Sequence, residues 1–284
     1  MRTVSRIADL RALLGAERRA GRRVGFVPTM GFLHDGHLAL VEEARRRTDV
    51  VVMSVFVNPL QFGPSEDFTR YPRDAEGDAA KARDRGVDLL FLPDAQEMYP
   101  RERVVEVVPR ALASRWEGEV RPGHFAGVLT VVAKLFNIVQ PDVAVFGQKD
   151  VQQATLVRAM VRDLDFPVEI VVAPTVRERD GLALSSRNTY LSADDRRRAL
   201  VLARALRAIE RAFGAGERDA ASLDWLARGV LSEEPAVRLD YLAIVDPETL
   251  EPAAQAREGT VVAVAARVGA TRLIDNVILG VGRA

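Results

Sequence analysis

Residues 24–38 read VGFVPTMGFLHDGHL, and this stretch is the strongest indication of the fold class. It begins with a short apolar run that is typical of a strand, passes through a turn that holds Gly31 and Gly36, and continues with helical spacing from about His37. Glycine lets the backbone of such a turn come close to a ligand, and the first turn of a helix offers N–H groups to an anion. The stretch therefore predicts a strand–turn–helix unit with an anion site at its turn.

The same alternation of short apolar runs and longer helical stretches continues to about residue 175. Strands are predicted at 24–27, 50–57, 87–92, 143–146 and 168–172, with helices at about 37–47, 74–85, 128–139 and 151–164. Each helix is long enough for a right-handed crossover between parallel strands. We therefore predict a doubly wound, Rossmann-like α/β domain over residues 1–175. Ligands of such a sheet bind beyond the carboxyl ends of its strands.

After Pro174 the pattern changes. Helices are predicted at about 193–213 and 217–232, and strand-like runs follow at 238–245, 260–267 and 272–278. This order predicts a smaller α+β domain over residues 176–284. We expect this domain to act as a lid.

Composition excludes several classes of protein. Forty Lys and Arg residues balance forty Asp and Glu residues, so no overall charge favours nucleic acid or an anionic membrane. The absence of cysteine excludes a disulfide framework, a thiolate zinc site and a cysteine nucleophile. Residues 1–23 have the spacing of an ordinary first helix, with no apolar stretch of signal-peptide length. We expect a cytoplasmic protein that binds small molecules in a pocket, with no nucleic acid and no membrane as partner.

Two histidines stand at the predicted anion site. His34 and His37 are three residues apart, so they face the same side if the first helical turn includes both. Imidazoles at a helix N-terminus can donate hydrogen bonds to phosphoryl oxygens. The structural alternative is that His34 caps the turn and His37 packs against the sheet. A zinc site lacks ligands, because His124 is the only other histidine.

Polar residues also follow the second predicted strand. Asn58 and Gln61 are uncharged amides that suit a hydroxyl or a carboxylate, and the alternative for both is a solvated turn. Tyr71 and Arg73 either line the entrance of the same ligand site or begin the following helix.

A third polar group follows the fourth predicted strand. Lys149 can reach a phosphate, Asp150 can bond a ribose hydroxyl or cap a helix, and Gln153 lies one turn further on. The cluster of donors at 185–187 suits the outer phosphates of a nucleotide, whereas Ser192 is expected to cap the next helix.

Taken together, six segments closely resemble the pantothenate synthetase family. They are PTMGFLHDGH, VFVNPLQF, YPRD, RPGHFAGVLTVVAKLFNIVQPD, FGQKDVQQ and DGLALSSRN, and LIDN at 273–276 adds to the match. The HxGH motif alone indicates only the wider nucleotidyltransferase-like superfamily. The resemblance implies a ligase of pantothenate and coenzyme A biosynthesis. It condenses (R)-pantoate with β-alanine through a pantoyl-adenylate, forms AMP and pyrophosphate from ATP, needs Mg2+ and is a homodimer.

The resemblance also assigns residues. The catalytic residues it implies are His37, His34 and Lys149. The ATP-binding residues are Met30, Gly31, Phe32, Leu33, His34, Asp35, Gly36, His37, Gly147, Gln148, Lys149, Asp150, Val176, Leu184, Ser185, Ser186 and Arg187. The substrate-binding residues are Gln61, Gln153, Asn58, Tyr71, Arg121 and His124. No metal ligand in the chain is implied.

Two departures and two alternatives accompany this assignment. Gln148 stands where the family more often has glutamate, which puts a role for its side chain in doubt. Gly77 stands before Asp78 and reduces the number of acidic residues in a stretch that could assist magnesium. One alternative is transfer of a nucleotidyl group to a phosphate-bearing acceptor, although residues 58–62 have no basic residue. The other is an ATP-sensing module without turnover, against which the two histidines and Lys149 argue.

Overall fold

The computed structural model describes residues 1–64 and 66–281, and it divides into two compact units. The first unit comprises Met1–Ser114, Arg121–Gly147 and Leu156–Ala173. The second comprises Arg115–Val120, Gln148–Thr155 and the residues from Pro174 onward. The sequence predicts a single boundary near residue 175, whereas two short earlier segments also group with the second unit. Residues 282–284 of the predicted second domain lie outside the described residues.

Strands and helices alternate along most of the chain. The strands are β1 (Arg2–Val4), β2 (Val24–Thr29), β3 (Val50–Val55), β4 (Leu89–Phe91), β5 (Val143–Gly147), β6 (Glu169–Ala173), β7 (Val237–Val245), β8 (Val261–Val268) and β9 (Thr271–Ile278). The helices are α1 (Ile7–Arg19), α2 (Asp35–Arg45), α3 (Ala75–Asp84), α4 (Ala95–Met98), α5 (Glu117–Val120), α6 (His124–Val139), α7 (Val151–Asp163), α8 (Ala193–Gly214) and α9 (Ala220–Leu231).

The first unit contains a six-stranded parallel sheet in the order β1-β4-β3-β2-β5-β6. Neighbouring residues within a strand are buried on opposite faces, as with Phe26 and Val27 in β2 and Val52 and Met53 in β3. A sheet that is buried on both faces needs helices on both sides. The predicted doubly wound α/β fold is confirmed, and β2 lies between β3 and β5, which brings the carboxyl ends of the three strands together.

The structure corrects the sequence prediction at three boundaries. Residues 1–23 include the edge strand β1 before α1, and β1 escaped detection because three residues, two of them exposed, are too few for a periodic pattern. Helix α6 begins at His124 rather than at residue 128, directly after Gly123 with its positive φ of 81°. Helix α2 begins at Asp35 rather than at His37.

The second unit contains the antiparallel sheet β7-β8-β9, whose three strands lie within one residue of their predicted positions. Helix α8 packs an apolar stripe into the core of this unit; its buried members include Leu202, Leu206, Ile209 and Phe213, at helical spacing. Ser192 caps α8 as predicted, because its hydroxyl accepts the N–H of Asp195 at 3.1 Å. No helix in residues 1–64 or 66–281 combines the length and apolarity that a membrane span requires.

Candidate active site

The loop after β2 is a tight turn that only glycine can begin. Gly31 has a φ of 87°, and a side chain there would come within 2.7 Å of the Val55 side chain and 2.8 Å of an Asp78 carboxylate oxygen. Phe32 follows with a φ of 51°, which is rare for a residue other than glycine. The Thr29 hydroxyl donates to the Ser54 carbonyl at 2.8 Å and accepts the Gly31 N–H at 3.2 Å. The loop is therefore tied to the end of β3.

The two histidines lie side by side at the start of α2. His34 is the N-cap residue and His37 lies in the first turn, with ring centroids 4.0 Å apart, so the prediction that both face one side is confirmed. The His34 N–H donates to Nδ1 of His37 at 3.3 Å. Because Nδ1 accepts, the proton of the neutral His37 ring is on Nε2. The pair can therefore present an Nε2–H donor to a ligand at the positive end of a helix.

Asp78, which the sequence suggested only as part of an acidic stretch that could assist magnesium, contacts the same loop. Its carboxylate is 1% exposed and accepts the N–H of Phe32 at 2.8 Å and that of Leu33 at 2.6 Å. Lys81, three residues further along α3, donates to the Leu33 carbonyl at 2.8 Å. A buried acid and a lysine on the same helix therefore bond the segment directly before His34.

Asn58 and Gln61 form a buried amide pair after β3, so the alternative of a solvated turn is wrong. They are 1% and 8% exposed, and Asn58 Nδ2 donates to Gln61 Oε1 at 3.0 Å. Asn58 Oδ1 accepts the Tyr99 hydroxyl at 2.9 Å, and burial raises the pKa of Tyr99 to about 12, so this hydroxyl is a donor at neutral pH. Gln61 Nε2 lies 3.1 Å from Met30 Sδ. The amide of Gln61 is thus oriented, with its donor directed towards the loop after β2.

Arg121 and His124 contact the backbone of Gln61. His124 Nδ1 lies 2.9 Å from the Gln61 carbonyl, and an Arg121 nitrogen lies 3.3 Å from the same oxygen. The Arg121 guanidinium also lies 3.0 Å from His124 Nε2 and pairs with Glu66 at 2.5 Å. Since a carbonyl can only accept, the proton of the neutral His124 ring is on Nδ1. Both residues, predicted to bind substrate, thus hold the turn that carries Gln61.

Gly127 was missed by the sequence analysis, although a glycine inside a strongly apolar helix was a usable signal. A side chain at Gly127 would collide with the Leu60 carbonyl and come within 2.7 Å of the Gln61 backbone nitrogen. Its own carbonyl accepts from Asn58 Nδ2 at 3.1 Å. The absence of a side chain lets α6 pack directly on the Gln61 turn.

Tyr71 lies in an aromatic group rather than at the start of a helix. It is 6% exposed, and its ring packs edge-on against Phe62 at 6.0 Å. Arg73 donates to the carbonyls of Tyr71 and Phe68, each at 3.0 Å. Helix α3 begins after both residues, so the helix-start alternative is wrong for this pair.

In the second unit, residues Gln148–Asp150 form a short 3-10 turn before α7. Asn276 of β9 is 1% exposed, and its Nδ2 donates to the carbonyls of Gln148 and Lys149, both at 2.9 Å. The Gln148 side chain donates back to Asn276 Oδ1 at 3.1 Å. The doubt about Gln148 is thus answered in part, because its side chain holds the turn. Gln153 lies in the first turn of α7 and is half-buried.

The predicted donors at 185–187 follow a small hairpin in the same unit, in which Arg177 pairs with Ala183. The Leu184 N–H donates to the Val176 carbonyl at 3.0 Å, and the Ser185 hydroxyl accepts the Arg187 N–H at 3.3 Å. Ser186 is buried and Arg187 is half-buried. Lys149 and Ser185 line one small cavity, so these two residues, both of which the resemblance assigns to ATP, lie near each other.

Within residues 1–64 and 66–281, no group of three or more His, Asp or Glu residues could hold a metal ion. Arg177 makes a bidentate ion pair with Asp275 at 2.6 and 2.9 Å, so both oxygens of this buried carboxylate bond the guanidinium group.

Comparisons with known proteins give one consistent result. The family model described as pantoate-beta-alanine ligase matches residues 2–278. The chain is 54% identical over 291 residues to the pantothenate synthetase of Acidobacterium capsulatum, covering 99% of this chain and 97% of that protein. Its structure is similar to that of the pantothenate synthetase of Thermus thermophilus, with a TM-score of 0.94, 57% identity and coverage of 98% and 99%. It is also similar to the Francisella tularensis pantoate-beta-alanine ligase complexed with beta-gamma ATP and beta-alanine, with a TM-score of 0.83, 33% identity and coverage of 99% of each chain.

Proposed function

The chain belongs to the pantoate-beta-alanine ligase family, and on that premise we propose that it joins (R)-pantoate to β-alanine at the expense of ATP. In the first half-reaction a pantoate carboxylate oxygen attacks the α-phosphorus, the bond to the β-phosphate breaks, and pyrophosphate leaves. In the second, the amine of β-alanine attacks the acyl carbon, loses a proton and displaces AMP. The products are pantothenate, AMP and pyrophosphate.

The observation that carries this proposal is the pair of imidazoles at the N-terminus of α2. His34 and His37 lie 4.0 Å apart between ring centroids, and the backbone N–H bonded to Nδ1 of His37 leaves Nε2–H as the donor. Negative charge grows on the phosphoryl oxygens as pantoate attacks, and donors that are already oriented stabilise that charge without reorganisation. We assign this role to His37 and assign ATP binding to His34 and the loop of residues 30–37.

Gln61 is the proposed contact to pantoate and β-alanine. Its Oε1 accepts from Asn58, so its Nε2 is the group that donates towards Met30 and the loop after β2. An oriented neutral donor suits a carboxylate or a hydroxyl and can bond either substrate in turn. Asn58, Arg121 and His124 support this amide and its backbone, and Tyr71 and Gln153 stay predicted substrate contacts.

Lys149 and residues 184–187 are proposed to contact the phosphates of ATP. The 3-10 turn held by Asn276 presents Lys149, and Lys149 and Ser185 share one small cavity. A lysine contributes a compact charge to a phosphate, and the Arg187 guanidinium can bind phosphate oxygens in a bidentate manner. Gly147, Gln148, Asp150 and Val176 complete this proposed nucleotide set through their backbones. That residues 176–284 act as a lid stays a prediction.

Magnesium is proposed to enter with ATP. Since the described carboxylates and histidines form no cluster for a metal, the ion fits as one held mainly by phosphate oxygens and water. When bound, it neutralises charge on the triphosphate. We further propose a cytoplasmic homodimer, which rests on family membership, and sedimentation velocity at micromolar concentration tests the dimer.

The deciding experiment is release of AMP that depends on both pantoate and β-alanine. Three assays on one purified sample separate the alternatives: AMP formation with both substrates, pyrophosphate formation without AMP, and ATP binding without product. We expect AMP and pantothenate in equal amounts. Pyrophosphate without AMP in the presence of a phosphate-bearing acceptor would instead indicate nucleotidyl transfer, and binding without any product would indicate a sensing module.

A further inference from the structure

A buried carboxylate on α3 bonds two successive N–H groups of the loop after β2. Asp78 is 1% exposed; its Oδ2 accepts from Phe32 at 2.8 Å and its Oδ1 from Leu33 at 2.6 Å. Both of its oxygens therefore accept hydrogen bonds from backbone N–H groups, and the residue that follows Leu33 is His34. Charge-assisted hydrogen bonds of this kind are shorter and stronger than bonds between neutral groups.

The loop requires such a partner because its backbone is strained. Gly31 and Phe32 have φ values of 87° and 51°, a region that residues other than glycine rarely adopt. A strained segment keeps one conformation only when its surroundings determine it. A side chain at Gly31 would come within 2.8 Å of the Asp78 carboxylate, so the turn and the acid fit closely.

Lys81 holds the same segment from the carbonyl side. Its ammonium donates to the Leu33 carbonyl at 2.8 Å and lies 6.0 Å from the centroid of the Phe32 ring. Asp78 and Lys81 are three residues apart on α3, so one helix face supplies both the acceptor and the donor. The cap at Asp74, whose carboxylate accepts the Gly77 N–H at 3.0 Å, orders the first turn of that helix.

We propose that Asp78 is a positioning residue for the reaction: it fixes the turn of residues 31–33, so that His34 caps α2 and the His37 ring keeps its hydrogen bond to the His34 N–H. This inference rests on the proposed function in assigning the two histidines to ATP and its α-phosphate. Burial raises the pKa of the Asp78 carboxyl, while the N–H groups of Leu33 and Phe32 act in the opposite direction. These two donors therefore offset part of the cost of burying the charge.

Histidine nitrogen resonances test the proposal directly, because the chain has only three histidines. In Asp78→Asn the side chain keeps its size, but one oxygen becomes an NH2 group that would face a backbone N–H. We expect the 15N signals of His37 to shift away from the pattern of an Nδ1 acceptor, while those of His124 stay unchanged. Single-turnover adenylate formation should fall about tenfold or more, and ATP affinity should fall as well, because residues 30–37 are the loop proposed to bind ATP.

The matched control is Asp84→Asn, the same substitution at an exposed carboxylate on the same helix. It should leave the His37 signals and the adenylate rate unchanged. Unchanged His37 signals in folded Asp78→Asn would overturn the inference whatever the reaction rate. A shifted His37 signal with a normal adenylate rate would support the positioning of the loop and refute the proposed role of His37 instead.

A measurement on the unaltered chain covers the case in which Asp78→Asn does not fold. The amides of Phe32 and Leu33 should exchange with solvent far more slowly than in a free peptide, because both donate to a buried carboxylate. Lys81→Met should speed exchange at Leu33. Exchange of the two amides at free-peptide rates would overturn the proposal.

Discussion

Replacing Gly127 with alanine should damage catalysis far more than stability. A methyl group at this position would collide with the Leu60 carbonyl and lie 2.7 Å from the Gln61 nitrogen, whereas ordinary contacts of a Cβ atom begin at 3.4 Å. The neighbours are backbone atoms that cannot rotate away, so the Gln61 turn must move by roughly one ångström. A misplacement of that size can cost about 100-fold in rate.

The stability change should be smaller because two effects oppose each other. Overpacking a buried contact typically costs about 1–3 kcal/mol. Alanine in place of glycine inside a helix contributes about 1 kcal/mol in the opposite direction. We therefore expect the free energy of unfolding to fall by about 0–2 kcal/mol, too little to unfold an ordinary domain.

Initial rates with each substrate varied, calorimetric titration of ATP and pantoate, and thermal unfolding measure these quantities. We expect kcat/KM for pantoate to fall about 100-fold, with ATP affinity nearly unchanged. The control is Gly229→Ala in α9, where a new side chain meets no atom within 4 Å. That variant should be slightly stabilised and fully active. If Gly127→Ala kept kcat/KM for pantoate near that of the unaltered chain, the packing of α6 would not be what places Gln61.

Four further predictions follow from the same contacts. His37→Ala should lower adenylate formation about 100-fold or more with the fold intact, and a near-normal single-turnover rate would remove this ring from the chemistry. Gln61→Ala should raise the Michaelis constant for pantoate, because a buried hydrogen bond that contributes about 1–3 kcal/mol is lost, and it should leave ATP affinity nearly unchanged. Calorimetry that finds normal pantoate binding and weakened ATP binding would show that the two sub-sites were assigned wrongly. Asn276→Ala removes two bonds to the turn of Lys149 and should weaken ATP binding at least about fivefold, whereas pantoate binding measured without ATP should stay the same. Burial raises the pKa of Asp78 above its ordinary value of about 3.9, so the folded state binds the proton more tightly than the unfolded state does. The free energy of unfolding of the unaltered chain, relative to that of Asp78→Asn, should therefore decline as pH rises from about 4 through the raised pKa. Denaturant titrations at several pH values measure this difference, and a constant or rising difference would contradict the predicted sign.

Local sequence patterns were enough to predict much of the fold and part of the candidate site. The apolar runs of β2, β3 and β5 are continuous because both faces of each strand are buried, and such runs are visible in the sequence. His34 and His37 could be placed together because residues three apart share a side at the start of a helix. Strand β1 could not be detected, since its three residues are ordered by pairing with β4 rather than by their own spacing.

From the sequence alone it was possible to predict which residues end the strands and which of them have the chemistry to bond phosphate, amide or carboxylate groups, because periodicity and side-chain chemistry are local properties. The contacts that hold those residues in place become visible only in the folded chain. Asp78 is 45 and 46 positions from the amides that it accepts, and Asn276 is 127 and 128 positions from the carbonyls to which it donates. No local pattern records such pairings, since they arise when packed helices and strands bring a buried polar group to a backbone that would otherwise lack a partner.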